Sequence, residues 1–148
     1  MTKSSEFKID SSFGWIVATT YYQLRKSLNQ KFLVGGLDIT SEQWVIMATL
    51  WNNEGVSQQA IADKLSRSKV AVYKLIERLE NSELVIRKPN PHDARGKQVY
   101  LSARGKRILK NLIRLSKENF EKAREGITDQ ELEVAKSVLR RITENINR

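Results

Sequence analysis

Residues 75–105 read "LIERLENSELVIRKPNPHDARGKQVYLSARG", and this stretch decides the fold. Its first part continues a stripe of apolar side chains with the i, i+3, i+4, i+7 spacing of an amphipathic helix: Val72, Leu75, Ile76 and Leu79. The β-branched segment "LVIRK" then predicts a strand, and "KQVYL" predicts its antiparallel partner. Pro89 and Pro91 lie between them, where a missing amide hydrogen is tolerated in a loop or at a sheet edge. The stretch therefore predicts a helix followed by a two-stranded β-hairpin.

A shorter helix is predicted immediately upstream, over "QQAIADKL" at residues 58–65, with Ser57 as its N-terminal cap. The break "SRS" at residues 66–68 separates it from the next helix, which runs through about Asn81. Two helices joined by a turn of three or four residues form a helix-turn-helix. The middle of the chain is thus expected to be a helix-turn-helix followed by a hairpin.

Long helices are predicted on both sides of this unit. A proline-free run from Phe13 to Phe32 with apolar residues at helical spacing predicts the first helix, which "VGGLD" closes. The Thr40–Gln43 capping box opens a second helix, Ser102 caps a fifth, and the Thr128–Glu131 box opens the last. The expected fold class is mainly α with a small β-hairpin.

The charge of the chain is concentrated in its middle. The 148 residues carry a net charge of +9, and residues 57–110 hold 13 Lys and Arg against 5 Asp and Glu, whereas the rest hold 13 against 12. Such a segment is typical of a surface that binds a polyanion, although charge alone leaves a solvated basic surface as the alternative.

Composition also excludes several classes of protein. Cysteine is absent, which excludes disulfides and thiolate zinc sites and fits a cytoplasmic protein. No stretch approaches the roughly 18 apolar residues of a membrane span, and the polar start "MTKSSEFKID" predicts neither a secretory nor a transit signal.

The fourth helix predicts a surface suited to the major groove of DNA. On a helical wheel, the side opposite the apolar stripe carries cationic, aromatic and β-branched groups near the helix N-terminus. An ordinary exposed face with its usual lysines is the alternative. With the basic hairpin included, the predicted DNA-binding residues are Arg67, Ser68, Lys69, Val70, Tyr73, Lys74, Arg95 and Lys97.

At the hairpin tip, Arg95 is the residue that we expect to enter the minor groove, where a narrow A·T-rich groove concentrates negative potential. Asp93 is negatively charged, so it would be repelled by phosphates and is expected to pair with a nearby arginine. Asp93 and Arg87 are therefore expected to shape the tip. A fully solvated loop with no fixed role is the alternative.

No catalytic or metal site is predicted. His92 is the single histidine and has no histidine or cysteine partner for zinc, so an exposed loop residue or a phosphate contact is the expected role. The chain has no Gly-rich phosphate loop of the G-x-x-x-x-G-K-[ST] type. We therefore expect a protein that is not an enzyme and that has no cofactor.

Residues 56–105 resemble the multiple-antibiotic-resistance regulator (MarR) family of bacterial winged-helix transcription factors. The family pattern combines "Leu-Glu-x-x-Gly-Leu-Val-x-Arg", a wing with Asp-x-Arg, and a strand closing in "Leu-Thr-x-x-Gly". The matching positions are Leu79, Glu80, Leu84, Val85, Arg87, Asp93, Arg95, Leu101 and Gly105, with Ser102 in place of threonine. The chain departs from the pattern at Glu83, where glycine is common, and at Asn90, His92 and Ala94 in the wing.

The resemblance implies a homodimer in which residues 1–36 and 106–148 form a helical dimerisation region and residues 37–105 form the winged helix-turn-helix. Two such lobes would reach successive major grooves of a pseudo-palindromic operator, with half-sites roughly 34 Å apart. The same helices could instead pack around one core in a monomer. Repression is the expected outcome, and a winged-helix module that docks on RNA or on a protein is the alternative function.

The resemblance also implies a cleft for a small anionic aromatic effector between the dimer helices and the DNA-binding lobe. Aromatic side chains of the first two helices are the candidates for its walls, although such a cluster is also typical of plain core. The candidate effector residues are Trp15, Tyr21, Tyr22, Trp44 and Trp51.

Overall fold

The computed structural model describes residues 6–148, apart from the side chains of Ala94 and Arg95. A short 3-10 helix, Ile9–Ser11, precedes six α-helices and a small antiparallel sheet. The helices are α1 (Phe13–Val34), α2 (Ser41–Asn52), α3 (Gln58–Leu65), α4 (Lys69–Asn81), α5 (Ala103–Ala123) and α6 (Asp129–Ile146). The strands are β1 (Val56–Ser57), β2 (Val85–Asn90) and β3 (Asp93–Leu101).

Side-chain caps set the starts of the helices, as the sequence predicts. Both predicted capping boxes form, since Thr40 and Gln43 exchange hydrogen bonds at the start of α2, and Thr128 and Glu131 do so at the start of α6. The hydroxyls of Ser57 and Ser102 accept hydrogen bonds from backbone amides three residues later. Each cap satisfies an amide that would otherwise lack a partner within its helix.

The sheet has one strand more than the sequence predicts. Its order is β1-β3-β2, because Val56 and Ser57 pair with Val99 and Gln98 of β3. The strand β1 was missed because a segment of two residues shows no alternating pattern. Pro89 lies within β2, which is tolerated because β2 is an edge strand of the sheet.

The hairpin strands are also longer than predicted, and the turn between them is the two-residue segment Pro91–His92. The register is regular from Val85 opposite Leu101 to Pro89 opposite Lys97. An irregularity then follows, and Asn90 pairs with Asp93. The extra residues of β3 near the tip are accommodated by this bulge.

The hydrophobic core lies in the lobe formed by α2, α3, α4, the sheet and the first half of α5. The predicted stripe of α4 faces it, with Val72, Ile76 and Leu79 buried and Leu75 half-buried. From α1, only Phe32 is buried, and its ring meets the Trp44 ring edge to face at 6.1 Å between centroids. Among the described residues α6 contributes no buried side chain.

Backbone contacts join the segment between α4 and β2 to the start of the long helix α5. The Ser102 amide donates to the carbonyl of Leu84 at 3.0 Å, and the Ser102 hydroxyl donates to the carbonyl of Glu83 at 2.6 Å. A Cβ atom at Gly105 would lie 2.1 Å from the Leu84 carbonyl oxygen, which is far inside van der Waals contact. Glycine is therefore required at position 105 for α5 to start against the strand entry.

Glu83 adopts the left-handed backbone conformation at the end of α4, with φ of 60°. Its amide donates to the carbonyl of Glu80, and the Leu84 amide donates to the carbonyl of Leu79. These two bonds form a Schellman motif, in which the left-handed position usually holds glycine. The departure of Glu83 from the family pattern thus places a Cβ atom where it is strained.

We predict that Glu83→Gly raises the free energy of unfolding by about 0.5 to 1 kcal/mol. Glycine removes the strain of a Cβ atom in the left-handed conformation, and this gain exceeds the additional conformational entropy that glycine loses on folding. The ion pair of Glu83 with Arg104 is 3.7 Å long and exposed, so its loss contributes little. Urea denaturation at a fixed protein concentration measures the change. The control Glu83→Ala removes the same carboxylate but keeps the Cβ atom, and equal stabilities of the two variants would contradict the prediction.

Candidate nucleic-acid interface

The helix-turn-helix consists of α3, the turn at residues 66–68, and α4. Ser66 ends α3 in the left-handed conformation, and the Ser68 hydroxyl accepts a hydrogen bond from the Ala71 amide to begin α4. The predicted outward face of α4 is exposed to solvent, and Val70 is 64% exposed. The members of this face, which we call the recognition face, are Lys69, Val70, Tyr73 and Lys74.

Arg67 precedes this face, but its side chain is engaged with α1 and α2. Its Nη2 atom lies 3.1 Å from Oε1 of Glu42 and 3.4 Å from the Tyr21 hydroxyl. The charge of Glu42 raises the pKa of the Arg67 guanidinium. Of the predicted DNA-binding residues with described side chains, Arg67 is therefore the one that is ion-paired within the protein in this structure.

Arg87 connects the wing strand β2 to α4. Its guanidinium donates two hydrogen bonds to the Glu80 carboxylate, at 3.1 Å and 2.8 Å, and its side chain is only 9% exposed. The hydrogen bonds from Arg87 lower the pKa of the Glu80 carboxyl, and those same bonds raise the pKa of the Arg87 guanidinium. Within the described part of the chain its Nη1 atom has no hydrogen-bond partner.

The same guanidinium lies over the ring of Tyr73, with its central carbon 4.9 Å from the ring centroid. Such a contact is a cation–π interaction. Because Tyr73 belongs to the recognition face, Arg87 fixes both the strand and an aromatic side chain of that face. Arg87 thus contacts α4 through both Glu80 and Tyr73, and its role in shaping the wing stays a prediction.

At the wing tip, the Asn90 side chain accepts a hydrogen bond from the His92 amide at 2.9 Å, as in an Asx turn. Asp93 starts β3 opposite Asn90, and its expected pairing with an arginine stays a prediction. Lys97 is exposed opposite Pro89. The backbone of Arg95 lies in β3, while the side chain that we expect in the minor groove lies outside the described residues.

A cavity of about 330 Å³ lies beside the helix-turn-helix, between α1, α2, the end of α3 and α4. Of the predicted effector residues, Tyr21 and Trp44 line it, whereas Trp15, Tyr22 and Trp51 do not. Its apolar walls come from Leu24, Leu28, Val45, Leu65, Val72 and Leu75.

The polar groups of this cavity were not foreseen from the sequence, and they are Arg25, Ser41 and Glu42 together with Arg67. Glu42 accepts a hydrogen bond from Arg67 and forms an ion pair with Arg25. Ser41 is 7% exposed, and its hydroxyl has no hydrogen-bond partner among the described residues. The cavity therefore combines an apolar wall with two arginines, the carboxylate that pairs with them, and a buried hydroxyl without a partner among the described residues.

Residues 39–97 match the family model described as "MarR family". Over this segment, which holds the helix-turn-helix and most of the wing, the chain is similar to the MarR family. A curated relative, the uncharacterized HTH-type transcriptional regulator YybA of Bacillus subtilis, is 25% identical over 112 residues, which span 76% of this chain and 75% of YybA. The family resemblance in the sequence is thereby confirmed, and so is the expectation of a protein that is not an enzyme.

Two solved structures share the fold of this chain. The MepR–DNA complex of S. aureus has a TM-score of 0.81 at 22% identity and covers 90% of this chain and 98% of its own. CouR of Rhodococcus jostii RHA1, bound to p-coumaroyl-CoA, has a TM-score of 0.80 at 18% identity and covers 91% of this chain and 94% of its own. The expected fold class is confirmed.

Two further features bear on the site. Over residues 6–148, none of the helices combines the length and apolarity needed to cross a bilayer. In the same range, no group of three or more acidic or histidine side chains is placed to hold a metal ion.

We predict that Glu80→Gln lowers the free energy of unfolding by about 1 to 2 kcal/mol at pH 7, because Arg87 is left buried without a charged partner while position 80 is partly screened by solvent. The folded-state pKa of Glu80 is lowered, so its contribution is present above its ordinary value near 4.5 and is lost as the pH falls through the folded-state value. The difference between wild type and variant should therefore shrink below about pH 4.5. Urea denaturation at several pH values measures it.

Glu77→Gln is the matched control, since Glu77 is exposed on the same helix. Its effect should stay within about 0.5 kcal/mol. A difference between Glu80→Gln and wild type that is constant from pH 7 to pH 3.5 would show that the ion pair does not stabilise the wing.

Proposed function

We propose that this MarR-family winged-helix regulator acts in the cytoplasm as a homodimeric repressor that binds a pseudo-palindromic operator. The observation that carries the proposal is the exposed recognition face of α4 beside a basic wing, within a segment of 13 Lys and Arg against 5 Asp and Glu. Such a surface releases the counterions of DNA on binding. A dimer lying over promoter DNA excludes other proteins from that duplex, so repression follows.

In the proposed complex, α4 enters the major groove with its N-terminal half. Lys69 and Lys74 reach phosphates or guanine edges, Val70 contacts a thymine methyl group, and Tyr73 donates to a phosphate. Ser68 caps the helix N-terminus, whose partial positive charge favours a phosphate.

The wing is proposed to follow the adjacent minor groove. Arg95 would insert its guanidinium, Lys97 would contact the backbone, and Asp93 and Arg87 would hold the tip in shape. The tight hydrogen-bonded turn at Asn90 and His92 supports this proposal, because a stiff tip loses little entropy on binding.

Dimerisation is proposed through residues 1–36 and 106–148, leaving residues 37–105 as the DNA-binding lobe. The support is the apolar surface that these helices leave uncovered, since α6 has no buried side chain and α1 exposes Trp15 and Ile16. Val134, Leu139 and Ile146 of α6 are exposed as well. Apolar patches of this extent usually mark an interface.

An effector is proposed to occupy the cavity between α1, α2 and α4. The ligand class is a small aromatic anion, because Tyr21 and Trp44 supply aromatic walls, Arg25 and Arg67 supply positive charge, and the Ser41 hydroxyl is an unused donor. CouR binds p-coumaroyl-CoA, a ligand whose acyl group is aromatic. Salicylate serves as the probe in a gel-shift titration with promoter duplex. We expect it to lower the fraction of duplex that is bound.

We predict that Lys74→Ala and Arg95→Ala each weaken operator binding by about 1 to 3 kcal/mol, because each removes a cation from the DNA interface. The measurement is a gel-shift titration with duplex from the chain's own promoter, random duplex and structured RNA. Lys117→Ala, which removes an exposed lysine from α5, is the control and should bind like wild type. Equal affinity for promoter and random duplex would overturn sequence-specific regulation, and tighter binding to the RNA would favour the alternative module.

We predict that the chain has the mass of two copies by size-exclusion chromatography with light scattering. Leu139→Lys should shift it to one copy, because a charge would be buried in the proposed interface. The control Val70→Lys changes an exposed apolar residue of the recognition face and should leave the dimer intact. A wild-type monomer at micromolar concentration would overturn the dimer.

A further inference from the structure

One carboxylate oxygen, Oε1 of Glu42, contacts two arginines near the start of α4, which carries the recognition face. Oε1 of Glu42 lies 2.6 Å from Nη2 of Arg25 and 3.1 Å from Nη2 of Arg67. Arg25 belongs to α1, and Arg67 lies one residue before Ser68, the N-cap of α4. Arg67, which lies two residues before the first residue of α4, is thus linked through Glu42 to α1 and α2.

This tie can be broken at little cost. The side chains of Arg67 and Arg25 are 40% and 38% exposed and that of Glu42 is 21% exposed, and ion pairs this near the surface contribute little to stability. Glu42 does not become unpaired when Arg67 leaves, because Arg25 remains at 2.6 Å. Detachment of Arg67 therefore requires no buried charge to lose its partner.

Duplex DNA offers Arg67 a better partner. A phosphate accepts charge-assisted hydrogen bonds from a guanidinium, often two in parallel, and transfer of the arginine releases condensed counterions. Arg67 is adjacent to the exposed residues Ser68, Lys69 and Val70, so its position along the chain is at the edge of the recognition face.

We propose that Glu42 is an internal competitor of DNA: its carboxylate occupies Arg67 in the free protein, and a backbone phosphate takes Arg67 over when the duplex binds. This inference rests on the proposed function, because it assumes that α4 binds duplex DNA. Glu42 then lowers the affinity for DNA without touching DNA. The affinity depends on the transfer of Arg67 from the Glu42 carboxylate to a DNA phosphate.

A double-mutant cycle tests the exchange with a random-sequence 30-base-pair duplex, because a phosphate contact does not depend on sequence. Glu42→Gln should raise the affinity about 3- to 10-fold at low salt. In the Arg67→Ala background, the same change should raise it less than about 2-fold, which is the part due to general charge. A purely structural tie would instead lower the thermal midpoint of Glu42→Gln and leave affinity unchanged or weaker.

Glu118→Gln is the matched control, since Glu118 also pairs with two cations, Lys31 and Arg114, but on the faces of α1 and α5. Its effect on DNA affinity should stay below about 2-fold. An equal gain from Glu42→Gln with and without Arg67, or no gain at all, would overturn the competition. Wild-type protein that binds no duplex would instead overturn the proposed function, so the two failures are distinguishable.

Discussion

The close contact between Gly105 and the carbonyl of Leu84 is the constraint on which the arrangement of the lobe depends. It allows α5 to begin against Leu84, which lies between α4 and β2, and Ser102 completes the junction with hydrogen bonds to the carbonyls of Leu84 and Glu83. Since β3 runs directly into Ser102, the sheet, the recognition helix and the long helix α5 meet within a few residues. Any displacement of α5 is therefore transmitted to both parts of the DNA-binding surface.

The recognition face and the wing form one unit because of Arg87. Its guanidinium is shared between Glu80 and Tyr73 on α4, while its backbone is part of β2. The end of the hairpin beyond its buried residues would be only marginally stable by itself. The ion pair and the ring contact attach the hairpin to α4, so the wing and the recognition face are held at a fixed separation.

The local parts of this fold could be predicted from sequence, and the parts that depend on distant residues could not. Ser57, Thr40 and Thr128 mark helix starts because a cap acts over three residues, and the spacing of Val72 to Leu79 identifies the buried side of α4. In contrast, β1 exists only because Val99 pairs with it from 43 residues away. For the same reason the partner of Arg67 was missed, since Glu42 lies on a different helix and no spacing rule links them.

The irregular register beside Pro89 has a consequence for how the wing can change in evolution. Residues 85–89 are paired with residues 97–101 in a continuous register, and the tip lies beyond that block. Insertions or deletions within the tip would alter its reach and charge without shifting any pair in the block or any core residue of the sheet. Changes in the length of the tip can therefore alter the wing in evolution, while α4 keeps its position against the core.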